Sequence, residues 1–383
     1  MARRFLRGVV VAATTGIGAS LLAPMAAHAA VVCGQTITTS MTLDQNLNCP
    51  AGSGINIAAS NVTLDLGGHT ITGPAPVGAG SVVRGVGVLQ SRAGVTVRNG
   101  VIRGFDQGVD VHPGATGTVL TGLILDGNST GIRINTGAAT SRVTDNIIIN
   151  TTQFSAIQMG GNGHVVENNA FFAGNGAGIF LSGNNNVIRG NKMSDMGQNG
   201  ISIGAFPTNP GPFLNNQVIG NQINGAARIG NATSINVSNG SGTRIESNTV
   251  NGRRKTPGIF VLDSANTVVA SNILTNNAST GVLVRGTSTG TQVLRNQSHQ
   301  NSFSGVTIEN GPTGTVVADN TVSGNGSNGV HISSALTTVA RNTAQVNGNL
   351  GIFAVAGVID GGGNRASGNG NPAQCSPTIA CTP

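Results

Sequence analysis

The sequence predicts an all-β solenoid, a single domain of about 13 stacked coils with three short strands in each. Three observations predict it. A phrase of Gly, branched aliphatic, any residue, aliphatic returns about every 23 residues, and such a period signals a repeat architecture. Inside each repeat the apolar residues come in short alternating bursts, as in Ile179 and Leu181, then Val187 and Ile188, then Met193. That is strand spacing, and no stretch carries a helical stripe. Between the bursts lie Asn, Gly, Ser and Thr, residues that form turns and tolerate left-handed backbone angles.

The elements follow in order. Residues 1–29 combine Arg3, Arg4 and Arg7 with an apolar centre from Gly8 to Leu22 and the exit Ala27-His28-Ala29, which reads as a signal peptide cut after Ala29. The run Arg3-Arg4-Phe5-Leu6 lacks the residue usually found between a twin-arginine pair and its Phe, so Sec export is expected. Residues 30–53 are expected to cap the amino end, with a strand over Thr36 to Leu43. The phrase then begins at Gly54, Gly85, Gly108, Gly131, Ala156, Gly178 and Gly200, and again at Ser234, Gly258, Gly281, Gly305, Gly329 and Gly351. These span the solenoid proper, residues 54–360. The 34-residue step between Gly200 and Ser234 holds an inserted loop, Ala205 to Asn216, and a shorter insert runs from Pro74 to Gly80. Inserts on one side of a solenoid can wall a groove. Residues 361–383 form a carboxyl cap.

One coil cannot bury its own apolar face, so equivalent strands must stack in parallel at ~4.8 Å, and parallel crossovers are right-handed. The second and fourth members of each phrase point inward and the third outward. The inward stacks read Ile132, Ile157, Ile179, Ile201 and Ile134, Met159, Leu181, Ile203. A polar column is expected at Asn146, Asn168, Asn191, Asn221, Asn248, Asn272, Asn296, Asn320, Asn342 and Asn364, where stacked amides can bond to one another and to tightly bent backbone.

On these residues the chain resembles the right-handed parallel β-helix superfamily, the pectate-lyase-like solenoids with Asn ladders. Val62 to Gly73, Val-Thr-Leu-Asp-Leu-Gly-Gly-His-Thr-Ile-Thr-Gly, is similar to the opening coil of secreted bacterial β-helix repeat proteins, including those of the NosD type. The resemblance covers nearly all of the chain after the leader. It implies a fold and leaves the reaction open among lyases, hydrolases, epimerases, adhesins and proteins without activity.

Without the three leader arginines, 17 basic residues face 13 acidic ones. That mild excess is no nucleic-acid footprint. The local cluster Arg253-Arg254-Lys255 sits in a Gly and Pro flanked turn and reads as a solvated loop. No stretch beyond the leader is long and apolar enough to cross a membrane. The cysteines fall in two local pairs, Cys33 with Cys49 and Cys375 with Cys381. In an exported chain this spacing favours two disulfides, each clamping one end, over a metal site. A secreted, extracellular monomer is expected.

Substrates of the superfamily lie along the outer face of the first strand, which directs attention to the third and fifth members of each phrase. One polar group is Asp110, His112 and Arg133, the candidate catalytic residues, with Asp106, Asp126, Asn135, Gln158 and Phe180 as candidate substrate contacts. Such a group suits uronic-acid chemistry. A cation neutralises the substrate carboxylate, Arg133 or His112 removes the proton beside it, and Asp110 holds the imidazole or a Ca²⁺ ion. The alternative is hydrolysis by two carboxyl groups, Asp106 with Asp110 or Asp126. The bland reading is an exposed ion pair between Asp110 and Arg133, with His112 merely opening a turn. A second group, Arg285, Glu309 and His331, carries the same ambiguity.

Departures weigh against a known enzyme type. The chain has no paired-aspartate or Gly-His-Gly segment of the polygalacturonase kind, and Val109 to Pro113 only faintly echoes the Asp-Pro-His-Asp of alginate-epimerase-like coils. It has no Trp and no Tyr to stack on sugars. His69 stands alone, and the Met and His residues are dispersed, which speaks against copper carriage. No flat Thr-x-Thr array suggests ice binding. Two functions remain: binding of an extracellular, anionic polysaccharide, with or without modification of the lyase, epimerase or hydrolase type, without a required cofactor and with Ca²⁺ optional; or a non-catalytic structural or adhesive solenoid.

Overall fold

Most coils are built from strands of three to five residues whose burial alternates with the side-chain pattern. In Thr130–Ile134 the residues Ile132 and Ile134 are buried while Arg133 between them is half-exposed. Two further strands, Arg142–Thr144 and Ile147–Ile149, complete that coil before Ile157–Gly160 opens the next. The computed structural model describes residues 31–76, 82–205, 210–230, 232–252 and 256–383. The expected leader, the Arg253-Arg254-Lys255 cluster and the centres of both inserted loops lie outside the described residues.

The first strands of all coils form one parallel sheet of 14 strands, from Thr36–Ile37 to Ile352–Ala354. This is one more than the phrase count. Thr36 and Ile37 pair with Asn56 and Ile57, so the segment expected to be a cap is itself the first coil. It escapes a search for the phrase because Gly34-Gln35-Thr36-Ile37 carries Gln35 where the branched aliphatic residue should stand. At the other end Asn364–Ser367 pairs with the coil below it and Cys381–Thr382 pairs with Asn364 and Arg365, so the tail continues the stack. The second and third strands of each coil form the other faces. In Thr96–Arg103 and Val119–Asp126 these two run on as one bent strand.

The register is that of the repeat. Ile132, Ile157, Ile179 and Ile201 stack in one column and Ile134, Met159, Leu181 and Ile203 in the next, all essentially inaccessible to solvent. Burial of each such side chain contributes about 1.5–3 kcal/mol. The third members form a single outward lane in which Gly87, Asp110, Arg133, Gln158 and Phe180 occupy successive coils.

Between the second and third strands the chain turns on one residue with a left-handed backbone, such as Asp145, Asn168, Ser271 or Arg295. The following residue is the ladder asparagine. Asn146 Nδ2 donates to Asn169 Oδ1 (2.9 Å), Asn169 to Asn191 (3.0 Å), and the chain of bonds continues through Asn221, Asn248, Asn272, Asn296, Asn320 and Asn342 to Asn364. The expectation at Asn168 was off by one: Asn168 is the left-handed turn residue (φ 56°) and Asn169 the ladder member. Two adjacent asparagines hid the distinction. A second ladder, Asn277, Asn301, Asn325, Asn347 and Asn369, runs along another turn and ends on Gln374.

A third polar column begins with His164. Its Nδ1 accepts the Ser141 N–H (3.0 Å), its Nε2 lies 3.0 Å from the Gly160 carbonyl, and its own N–H donates to Asn186 Oδ1. Burial pushes its pKa down to about 4. Both ends of the stack are covalently closed, by Cys33–Cys49 and Cys375–Cys381.

Two outcomes follow from these columns. Asn296 makes four buried bonds, to Asn320, Val269 and both nitrogens of Asn272, so Asn296→Ala strands several buried groups and is expected to cost about 3 kcal/mol or more in urea unfolding. His164 is neutral in the fold yet charges in the unfolded chain below about pH 6.5. Its depressed pKa contributes stability that is complete above that pH and is lost as the pH falls toward 4, roughly 3 kcal/mol in all. Urea midpoints measured from pH 7 to pH 4 should fall less steeply in His164→Asn than in the wild type.

Candidate functional site

The outward lane is polar where Gly87, Asp110 and Arg133 lie on three successive coils. Asp110 is nearly inaccessible, at 3% exposure, and a buried carboxylate requires partners. It has four. Arg84 Nε lies 2.5 Å from Oδ2, Asn135 Nδ2 donates to Oδ1 (2.6 Å), and His112 Nε2 stands 3.1 Å from Oδ2 without the alignment of a full hydrogen bond. In the amide orientation that satisfies both its ends, Gln107 donates to Asp110 Oδ2 (3.0 Å) and accepts from Arg133 Nη1 (2.9 Å).

Arg84 is the residue that sequence reasoning missed. It directly precedes the phrase at Gly85, on a parity that would turn a side chain inward. It nevertheless reaches the Asp110 carboxylate of the next coil. Gly87 lies beside it in the lane: a Cβ there would press on Asn56 Oδ1 at 2.9 Å and stand in ordinary contact, 3.7 Å, with the Arg84 side chain. A signal existed: Arg84 is the only charged residue standing immediately before any phrase. The expected ion pair between Asp110 and Arg133 is therefore replaced by Asp110 with Arg84. Arg133 joins through Gln107 and meets an amide oxygen rather than a carboxylate.

The remaining candidates divide. Asn135 belongs to the cluster. Asp106 Oδ2 accepts the Val83 N–H (3.0 Å), next to Arg84 at the entrance of its strand. Asp126 does not face the site: it ends the strand Val119–Asp126 on another face, in register with Arg103 and Ile149, and accepts from Asn150 Nδ2 (2.8 Å). A residue at the end of a third strand turns away from the lane of the first strand, and the spacing of carboxylates in sequence did not resolve the two. Gln158 and Phe180 follow Arg133 along the lane and line an open depression of about 200 Å³ together with Gln153, Phe154, Ser155, Gly176 and Gln198. Phe154, 58% exposed, was not anticipated. It sits two residues before its phrase, outside the positions that were read.

The depression joins two rings to three amide side chains, a combination that can stack on one face of a sugar and bond its hydroxyls. The adjacent cluster can hold an acid group between Arg84 and Arg133 and bring an imidazole beside it. The oxygens of Asp110 are engaged by Arg84, Gln107 and Asn135, and the Arg84 guanidinium already stands as the cation. Among the described residues no three His, Cys, Asp or Glu side chains converge as metal ligands.

The second polar group is different in kind. Arg285 and Glu309 form an exposed pair at 3.0 Å, worth about 0–1 kcal/mol. His331 lies against Asn328 (2.9 Å) and Ser333 (2.9 Å), an apparent Ser-His-Asn set. Its tautomer rules out a nucleophile. Asn328 Oδ1 is taken by the Leu350 N–H, so its Nδ2 donates to His331 Nδ1, and the neutral ring must donate Nε2–H to Ser333 rather than take a proton from it. Burial lowers the His331 pKa, with Glu309 opposing.

A family model described as right handed beta helix region matches residues 84–240 and 228–349. No curated protein matches the chain. Among solved structures, the A-module of the Azotobacter vinelandii mannuronan C-5 epimerase AlgE6 superposes with a TM-score of 0.54 at 16% identity over 90% of this chain and 91% of that one. The catalytic unit of a GH87 α-1,3-glucanase from Streptomyces thermodiastaticus strain HF3-3 gives 0.46 at 18% identity, covering 88% and 63%. A tailspike protein mutant of E. coli bacteriophage HK620 in complex with a pentasaccharide gives 0.48 at 13%, covering 91% and 74%. At these identities the likeness is one of fold.

Because Asp110 is buried and Arg84 is its charged partner, removing the arginine strands a buried charge. Arg84→Ala is expected to cost about 2–4 kcal/mol in urea unfolding, whereas Arg133→Ala, which loses one bond to an amide, should cost no more than about 1 kcal/mol.

Proposed function

Since the chain belongs to the right-handed β-helix family, we propose that its outward lane binds an extracellular, anionic polysaccharide and acts on it by proton abstraction beside a uronate carboxylate. The observation that carries this reading is the buried Asp110 with Arg84, His112 and Gln107 arrayed on it and Arg133 alongside. The cluster opens onto the depression lined by Phe154, Phe180 and the three glutamines. Export agrees with two disulfides in the chain and with the absence, among the described residues, of any helix long and apolar enough to cross a membrane. The mannuronan epimerase activity named for the AlgE6 module points the same way.

Each residue has a task in this reading. Arg84 and Arg133 neutralise the substrate carboxylate and make the adjacent carbon acid. His112 turns Nε2 toward Asp110, which leaves Nδ1 as the nitrogen that takes the proton. Asp110 is a positioning residue: it orients the imidazole and the Arg84 guanidinium. Return of a proton to the opposite face gives epimerisation, and departure of the neighbouring glycosidic oxygen gives elimination. Hydrolysis by a carboxylate pair is disfavoured, since Asp110 is ringed by donors and Asp126 belongs to another face.

The test is a screen of oligouronates, with neutral glucans as controls, in D₂O. NMR follows deuterium entering the carbon beside the carboxylate, and ultraviolet absorbance follows unsaturated products. Turnover is expected on a uronate. His112→Ala should lower its rate by about 100-fold or more, and Arg133→Ala should weaken binding about 10-fold. Retention of uronate without exchange would reduce the role to binding. A protein that retains no glycan would return the chain to the non-catalytic solenoid.

A further inference from the structure

The aromatic arrangement beside the cluster occurs a second time in the same lane. Phe154 stands two residues before its phrase, donates its N–H to Ser129 O (3.0 Å), and is followed one coil later by the outward ring of Phe180. Phe303 stands at the same point of its own repeat, donates its N–H to Ser279 O (3.0 Å), and is followed one coil later by the outward ring of His331. The two phenylalanines are similarly exposed, at 58% and 60%. No other repeat has a ring at that position. Between each pair the lane carries a side chain that can bond to hydroxyls, Gln158 in the first and Thr307 in the second.

The second arrangement is held by ring stacking and hydrogen bonds. His331 stacks on Phe353 of the next coil, with ring centroids 4.6 Å apart and planes 21° from parallel. Its nitrogens are tied to Asn328 and Ser333, so the ring is fixed and uncharged. Arg285 and Glu309, on the coils below, neutralise each other. This end of the lane therefore presents apolar ring faces without net charge, while the Arg84 and Arg133 end presents cations.

Resting on the proposed polysaccharide reading, we infer a second carbohydrate subsite formed by Phe303, Thr307, His331 and Phe353, which stacks on the pyranose face of a distant residue of the same glycan chain. Six coils separate Phe154 from Phe303, about 29 Å at ~4.8 Å per coil. A chain long enough to reach both points is held twice, and the second contact adds affinity through effective concentration alone. The protein then selects for chain length, with the uronate group read at one end and ring faces at the other.

Calorimetric binding of size-fractionated oligogalacturonates and oligomannuronates tests this, with the ring resonances of His331 followed by NMR. Affinity should rise at least 10-fold once the oligomer spans about 29 Å, and only such oligomers should shift His331. Phe303→Ala and Phe353→Leu, which remove rings without emptying the interior, should abolish the gain and leave short-chain binding unchanged. Length-independent binding with His331 unmoved overturns the second subsite and leaves the first reading standing. Failure of every oligomer to bind overturns both.

Discussion

The constraint on which the rest of this molecule depends is the turn between second and third strands, where the chain must change direction beside its own core without leaving a peptide group unpaired. One residue adopts a left-handed backbone and the next presents a buried amide. An asparagine there satisfies the carbonyl and N–H groups exposed by the bend. Because the ten coils from Asn146 to Asn364 solve the problem alike, successive amides fall within bonding distance, and the strands on either side inherit a common register. The aliphatic columns and the outward lane follow from that register.

The register also determines how chemistry can be assembled. Arg84, Asp110 and Asn135 are separated in sequence by about one repeat each, yet all three meet around one carboxylate. No local motif is needed and none is present. A site on such a lane is written one residue per coil, and a glycine in the lane, as at Gly87, is as informative as a side chain because a Cβ there would press on the Asn56 amide of the preceding coil.

Fold and site were legible to different degrees, for physical reasons. Periodicity in Gly and aliphatic residues yields the parallel stack and the identity of the lane directly, since a strand's side-chain period is fixed at two. It misses the first coil, where Gln35 replaces the aliphatic residue after Gly34, and it places the ladder on Asn168 instead of Asn169 because two asparagines adjoin at a turn. Within the site, Asp110, His112, Arg133, Asn135, Gln158 and Phe180 are visible as lane or near-lane positions. Arg84 and Phe154 are not: Arg84 is the first residue of its strand, on the inward parity, yet reaches Asp110, and Phe154 lies before its strand, where the chain bends and parity no longer dictates direction. Asp126 shows the converse error: nearness in sequence to Asp110 does not survive a turn onto a different face.

The asparagine column has a direction. In every link the Nδ2 of one coil donates to the Oδ1 of the next coil toward the carboxyl end, so the amide dipoles lie head to tail along the stack. Hydrogen bonds in such a chain polarise one another, and each amide added strengthens those already present. The column is thus a polarised filament whose natural unit is a whole coil. A solenoid of this kind can lengthen or shorten by complete coils and keep its polarity, whereas a shift of one residue within a coil breaks the filament in two. Length, and with it the reach of the outward lane, is the property that evolution can adjust here in discrete steps.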